Sequence, residues 1–262
     1  MSDHIPTPDA NKPRQILWRF YAQQTLLCAS ATERPIAFDN KDRPGIMLAS
    51  ALRTYVNRYP ATPAQRVAIF TKKADGHRTA SDLRASGVPI AAVIDTCADA
   101  PLSPDYQVLR GAQVVDSKGR LGLTFIDMKL ADGSTRTVEC AALGVSGGWN
   151  PNVHLTCHQR GRPTWDDSHA AFLPGHGLPL GMAVAGAAQS AFSTHAALSS
   201  GAHTGAQMFG IKAAEIPHAE DAPIEKTPFW VAAGASRAKL DQQNDVTVKD
   251  LKLSHQEMVP FR

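Results

Sequence analysis

The sequence predicts an α/β protein with a three-layer, parallel-sheet core and a small inserted βαβ unit. Three observations predict it. Arg66–Phe70 and Ile90–Asp95 are short, continuous apolar runs, as strands covered on both faces require. Between them Ala74–Ser86 reads as a helix closed by Gly87, so the pair forms a βαβ unit with a right-handed crossover. A third apolar run, Ala141–Val145, ends in Ser146-Gly147-Gly148, and Met182–Gly186 repeats the strand-to-glycine pattern.

The elements follow in order. Residues 1–15 are polar and read as a disordered leader. A strand starts with Ile16–Trp18 or with Gln24–Ala29, and Asp42-Arg43-Pro44-Gly45 is a turn. Met47, Leu48, Ala51, Leu52, Tyr55 and Val56 recur at helical spacing, which predicts a helix over Ile46–Tyr59 stopped by Pro60. Tyr106–Val115 and Leu121–Lys129 are strand-like, and Ala131-Asp132-Gly133-Ser134 predicts a hairpin between Thr124–Leu130 and Thr135–Glu139. Asn150 is a good N-cap and Pro151 suits a first helical turn, so a helix is expected to start at Pro151. Residues 158–180 read as irregular and Ala187–Gly201 as a helix of small residues. Glu215–Pro228 reads as a linker and Asp245–Glu257 as a short amphipathic helix.

Composition narrows the function. A chain of 262 residues has room for a sizeable core, and a net charge of +3 with scattered Lys and Arg gives no nucleic-acid footprint. Cys28, Cys97, Cys140 and Cys157 form no C-x-x-C pair, and no apolar run reaches the ~20 residues a membrane span needs. With no signal peptide at its start, the chain reads as a reduced, cytoplasmic protein without nucleic-acid or membrane partners.

Few motifs carry chemistry. Gly144-Val145-Ser146-Gly147-Gly148 satisfies the G-x-S-x-G of a hydrolase nucleophile elbow, with Asp166, Asp167, His169, His176 and His195 downstream. The elbow needs a helix directly after the serine, and Pro151 delays it. The alternatives are a structural strand–helix turn and a cofactor-contacting turn, whose amides and helix dipole would suit an anion. Thr71-Lys72-Lys73-Ala74-Asp75-Gly76 has one glycine and no longer reads as a dinucleotide loop, although Asp95 stands where a ribose-binding acid would. His154, Cys157 and His158 have metal-like spacing but no third ligand, so no metal site is expected.

A longer pattern joins these pieces. Glu33-Arg34-Pro35-Ile36-Ala37-Phe38-Asp39-Asn40-Lys41-Asp42-Arg43-Pro44-Gly45, then Ser146-Gly147-Gly148-Trp149-Asn150-Pro151, resembles the α subunit of heterotetrameric sarcosine oxidase. Val184–Ala188 and Gln243–Asp250 extend the match, which runs from about residue 14 to about 256. The resemblance implies a core of two dinucleotide-binding domains like that of the pyridine-nucleotide disulfide reductases, incomplete here, with an inserted βαβ domain. It implies remnants of the first fold at 16–45 and 141–212, the inserted fold at 46–140, and a linker with the start of another domain at 213–262. It further implies NAD in this subunit, FMN and FAD at or in a flavoprotein β subunit, smaller further subunits, and oxidation of a secondary amine such as sarcosine.

By the same resemblance the cofactor-contacting residues are Ala29, Ser30, Ala31, Ser146, Gly147, Gly148, Gly186 and Ala187, and none is catalytic. The family's Gly-rich pyrophosphate loop and its aminomethyltransferase-like domain have no counterpart in this sequence. The expectation is therefore a central piece of the subunit, a scaffold for NAD and a flavin partner. By itself the chain is expected to be inactive and not to hold NAD stably. A non-catalytic interaction module and a Ser146 hydrolase are the other readings.

Overall fold

A computed structural model describes residues 2–4, 15–59 and 61–218. In chain order the elements are β1 (Ser2–His4), β2 (Gln15–Leu17), β3 (Thr25–Leu27), β4 (Ala31–Glu33), β5 (Ile46–Leu48), α1 (Ala49–Arg58), β6 (Val67–Thr71), α2 (Ala74–Ala85) and β7 (Ile90–Asp95). Next come β8 (Val108–Arg110), β9 (Gln113–Lys118), β10 (Phe125–Lys129), β11 (Thr135–Glu139), β12 (Ala142–Ser146) and β13 (Trp149–Pro151). The last are β14 (Thr164–Asp166), β15 (Ala171–Leu173), β16 (Met182–Val184) and α3 (Thr194–Phe209).

The larger unit is a five-stranded parallel sheet in the order β5-β12-β6-β7-β8. Every residue of β6 and β12 is buried, which is why both read as unbroken apolar runs. Helices α1 and α2 cover one face, packing Leu52, Ala80 and Leu83 on Val67, Ile69 and Val93. The antiparallel meander β11-β10-β9 covers the other, setting Val114, Ile126 and Met128 against Phe70, Ile94 and Leu143. The strand order reverses between β6 and β12. In a doubly wound sheet that switch point is where nucleotides bind, outside the carboxyl ends of the strands.

A second, smaller parallel pair joins β3 to β16 in the register Thr25↔Met182 to Leu27↔Val184. Between the two units runs an antiparallel ribbon, β4 against β13, with Trp149 opposite Glu33 and Pro151 opposite Ala31.

Several local predictions give way to this tertiary pairing. Ile46–Leu48 is a strand rather than the first turn of a helix, because it pairs with Leu143–Val145. No helix starts at Pro151: Trp149–Pro151 is drawn into the ribbon, and only a short 3-10 segment follows at His154–Arg160, broken at His158 and Gln159. Gly186–Gln189 is a 3-10 turn, Ser190 turns left-handed, and the helix begins later, at Thr194, capped by the Ser193 hydroxyl. Ala142–Ser146, grouped above with the first fold, pairs inside the five-stranded sheet, between β5 and β6. Residues 5–14 of the expected leader lie outside the described residues, and its described ends, β1 and β2, pair with each other. The Asp245–Glu257 helix also lies outside the described residues.

Candidate functional site

Two places in the molecule gather loops at the carboxyl ends of parallel strands. At the first, β3 and β16 run side by side, and the Ala185 amide donates to the Leu27 carbonyl. Their outgoing turns, Cys28–Ala31 and Ala185–Ala188, are thereby neighbours. Ser30 is left-handed (φ 61°), and so is Gly186 (φ 70°), a conformation that costs glycine nothing. Ala29, Ser30, Ala31, Gly186 and Ala187 are all at least partly accessible.

Asn152 holds the first of these turns. Its amide donates to the Ser30 carbonyl at 3.1 Å, its side-chain nitrogen donates to the Ala29 carbonyl at 2.8 Å, and its side-chain oxygen accepts from Thr32. The Gly186 amide is already engaged by the Ser200 hydroxyl of α3 at 3.1 Å. The 3-10 turn that begins at Gly186 packs against β13.

Ser146, Gly147 and Gly148 stand at the other place, the switch point between β6 and β12, and all three are buried. The Gly147 amide donates to the Arg34 carbonyl at 2.8 Å, and the Gly148 carbonyl accepts the Arg34 amide at 2.7 Å. The glycine turn therefore serves as the start of the ribbon. With no helix at Pro151 and the Gly147 amide committed, the helix dipole expected to suit an anion beside this turn is not present. Ribbon and turn do pack together, but the Gly147 amide and the Gly148 carbonyl serve the fold.

The nucleophile-elbow reading also fails. Ser146 is fully buried, and its hydroxyl has no histidine partner among the described residues. The downstream Ser168, His169 and Asp166 do not make a relay either, because the serine and the acid both meet the same ring nitrogen, His169 Nδ1. The Asp166 carboxyl is held down to about 2 by bonds from Ser168 and His169.

Two charged side chains of the Glu33-Arg34 pair lie at the joint, and sequence reasoning assigned neither a role. Arg34 is 2% exposed. Its guanidinium bonds Asn150 Oδ1 at 2.7 and 3.0 Å and the carbonyls of Trp149 and His169 at 3.3 Å. Burial pulls it down to about 10. Glu33 points the other way and accepts the Ser50 amide at 2.8 Å in the first turn of α1, where a helix favours negative charge. Burial pushes the Glu33 carboxyl above its ordinary range, against the pull of Ser50 and Ser146, and nearby Asp75 adds to the push. Glu-Arg directly before Pro35, inside the longest family motif, was the available signal for both residues.

The described residues hold no group of three or more His, Cys, Asp or Glu able to bind a metal. The four cysteines are free, and burial pushes the Cys140 thiol up to about 12, which makes it an inert core residue. No helix among the described residues is long and apolar enough to cross a membrane.

No family model matches the chain. Known structures share its fold. An L-proline dehydrogenase from P. horikoshii aligns over 88% of the chain and 48% of its own length, with a TM-score of 0.54 at 18% identity. A ferredoxin reductase from Rhodopseudomonas palustris aligns over 74% and 54%, also with a TM-score of 0.54, at 15% identity. Sequence relatives are nearer. "Sarcosine oxidase subunit alpha" of Rhizobium meliloti is 35% identical over 97% of the chain and 26% of its own length. The subunit of the same name from Corynebacterium sp. strain U-96 is 34% identical over 91% of the chain and 27% of its own length. The chain thus spans about a quarter of the curated relatives it matches, and over that span it is similar to the sarcosine oxidase alpha subunits.

Proposed function

We propose that this chain is the part of a sarcosine oxidase-type alpha subunit that holds one side of an NAD molecule and supports a flavin-bearing partner. The observation that carries the reading is the parallel pair β3 and β16. It sets the turns Cys28–Ala31 and Ala185–Ala188, with Gly186 and Ala187 partly accessible, side by side where such folds take dinucleotides, in a chain 35% identical to a sarcosine oxidase alpha subunit. In this reading Ala29, Ser30, Ala31, Gly186 and Ala187 line the cofactor. Their short side chains let backbone approach it closely, and Asn152 fixes the first turn. Ser146, Gly147 and Gly148 act at one remove, by starting the ribbon that carries Asn152.

NAD supplies hydride-transfer capacity when bound, and the chain's own part is placement. Secondary-amine oxidation belongs in this reading to an assembly with a flavoprotein β subunit carrying FMN and FAD, in a reduced, cytoplasmic setting that suits four free cysteines. The domain limits that go with it are 16–45 with 141–212 for the first fold and 46–140 for the inserted one, with β12 lent to the inserted sheet.

The test is NAD retention by the assembled complex. Gly186→Val, which forces a branched side chain into a left-handed position, should strip NAD from the complex and leave the flavins in place. Unchanged NAD content would overturn the assignment. Calorimetry on residues 1–262 alone should find no micromolar NAD affinity.

A further inference from the structure

We infer that the inserted nucleotide fold has closed its own binding crevice: the switch point between β6 and β12 is filled by the chain's side chains and takes no dinucleotide. The starting point is Gly76. Counting back from it, Thr71, Lys73 and Gly76 occupy the three glycine positions of a G-x-G-x-x-G turn between β6 and α2. The third glycine of such a turn exists so that helix and strand can touch. A Cβ at Gly76 would stand 2.4 Å from the side chain of Thr71, so that requirement survives intact. The first two glycines, which let a pyrophosphate reach the backbone, are replaced.

Each part of a dinucleotide's usual seat is taken by a protein group. The Lys73 amide, aimed where a pyrophosphate would accept it, donates instead to the Thr71 hydroxyl at 2.9 Å. That hydroxyl lies 3.0 Å from the Lys73 carbonyl and 3.3 Å from the Ser146 carbonyl, tying the two sides of the crevice together. The Lys73 side chain lies over Gly148, where an added methyl would come within 3.2 Å of its Cε. Asp75 puts a carboxylate in the first turn of α2 and accepts the Trp149 indole N–H at 2.7 Å, so the helix end that would favour a phosphate carries a negative charge. Glu33 does the same for α1 through Ser50. The ribose position is occupied too. Asp95, about twenty residues beyond the turn, is 3% exposed and spends its oxygens on His77 Nε2 at 2.7 Å and the Cys97 amide at 2.8 Å.

The consequence is a division of labour within the chain. Groups that would grip a nucleotide instead fasten the ribbon, through Trp149, Gly148 and Glu33, to both helices of the inserted fold. The inference is independent of whether the β3/β16 turns hold NAD.

Hydrogen exchange on the full 262-residue chain tests it, with millimolar ADP-ribose as the probe and peptides covering residues 66–78 as the readout. In the natural chain, exchange of the Lys72–Gly76 amides should be unchanged by the probe. In the opened variant T71G/K73G/D75S the same amides should slow at least several-fold. Slowing in the natural chain would overturn the inference. So would a folded opened variant that gains no protection, because the named side chains would then not be what closes the crevice. Should the triple variant fail to fold, Lys73→Gly alone is read in the same way, with a smaller gain expected. Changes confined to peptides covering 25–31 or 182–190 would bear on the NAD assignment and leave this inference standing.

Discussion

The carboxyl ends of β3 and β16 and those of β6 and β12 are equivalent places in two parallel-strand units, yet they are built in opposite ways. At β3/β16 the turns are made of Cys, Ala, Ser and Gly, two of their residues are left-handed, and the side chains that brace them, Asn152 and Ser200, bond turn backbone. At β6/β12 the Ser146–Gly148 turn is buried and the bracing groups, Thr71, Lys73, Asp75 and Glu33, occupy the crevice itself. The difference teaches that a nucleotide fold can outlive its nucleotide. Once side chains satisfy the helix ends and turn amides, the crevice becomes a joint.

The sharpest way to break the comparison is at the one glycine the closed crevice still needs. Gly76→Val should cost about 3 kcal/mol in denaturant unfolding, because overpacking against Thr71 has no flexible side-chain end to move aside. Gly201→Ala, in the middle of α3 with nothing within 4 Å of the new methyl, should instead be neutral or stabilising by up to about 1 kcal/mol. Equal effects at the two glycines would mean that the contact between α2 and β6 is not tight.

Arg34→Met probes the ribbon both places share. It leaves the carbonyls of Trp149 and His169 and the Asn150 oxygen without their donor, at an expected cost of about 2–3 kcal/mol by thermal unfolding. A loss below about 0.5 kcal/mol would show that the ribbon stands without it. Asn152→Ala acts on the open side alone. It should cost about 1 kcal/mol and speed exchange in Cys28–Ala31, leaving 71–76 unchanged. Spread of the change to 71–76 would merge the two places into one cooperative unit.

The smallest effect is one of pH. Burial raises the Glu33 carboxyl above its ordinary value, so the folded chain binds this proton more tightly than the unfolded chain. Stability from this group is then fully present below the ordinary glutamate pKa and is lost as pH rises through the raised one. Glu33→Gln should flatten that part of the stability–pH curve. A natural chain and variant with parallel curves across it would show that the carboxyl ionises freely.

Much of the inserted unit was legible in advance. The β6–α2–β7 order followed from apolar runs with a helical stretch between them, and Gly133 marked the hairpin whose register pairs Lys129 with Thr135. The proposed cofactor site was singled out in the sequence as a pair of small-residue turns, though only through the long family motif. The closed one was not. Thr71 and Lys73 look like ordinary turn residues until Gly76 is seen against Thr71. The helix expected at Pro151 was lost for a comparable reason, since its first residues pair with Ala31–Glu33, more than a hundred positions earlier.

Local chemistry in the chain was sufficient to set the apolar strands β6, β7 and β12, the hairpin, the family likeness and the small residues at Ala29–Ala31 and Gly186–Ala187. Their causes act over a few neighbouring residues: apolar period, glycine backbone freedom, the turn preference of Asp132-Gly133. Contacts between distant segments decided the rest: the strand at Ile46–Leu48, the ribbon in place of a helix, the burial of Ser146–Gly148 and the filled crevice. Each depends on hydrogen bonds and close packing between residues far apart in the chain, and such partners exist only once the parallel strands have brought them together.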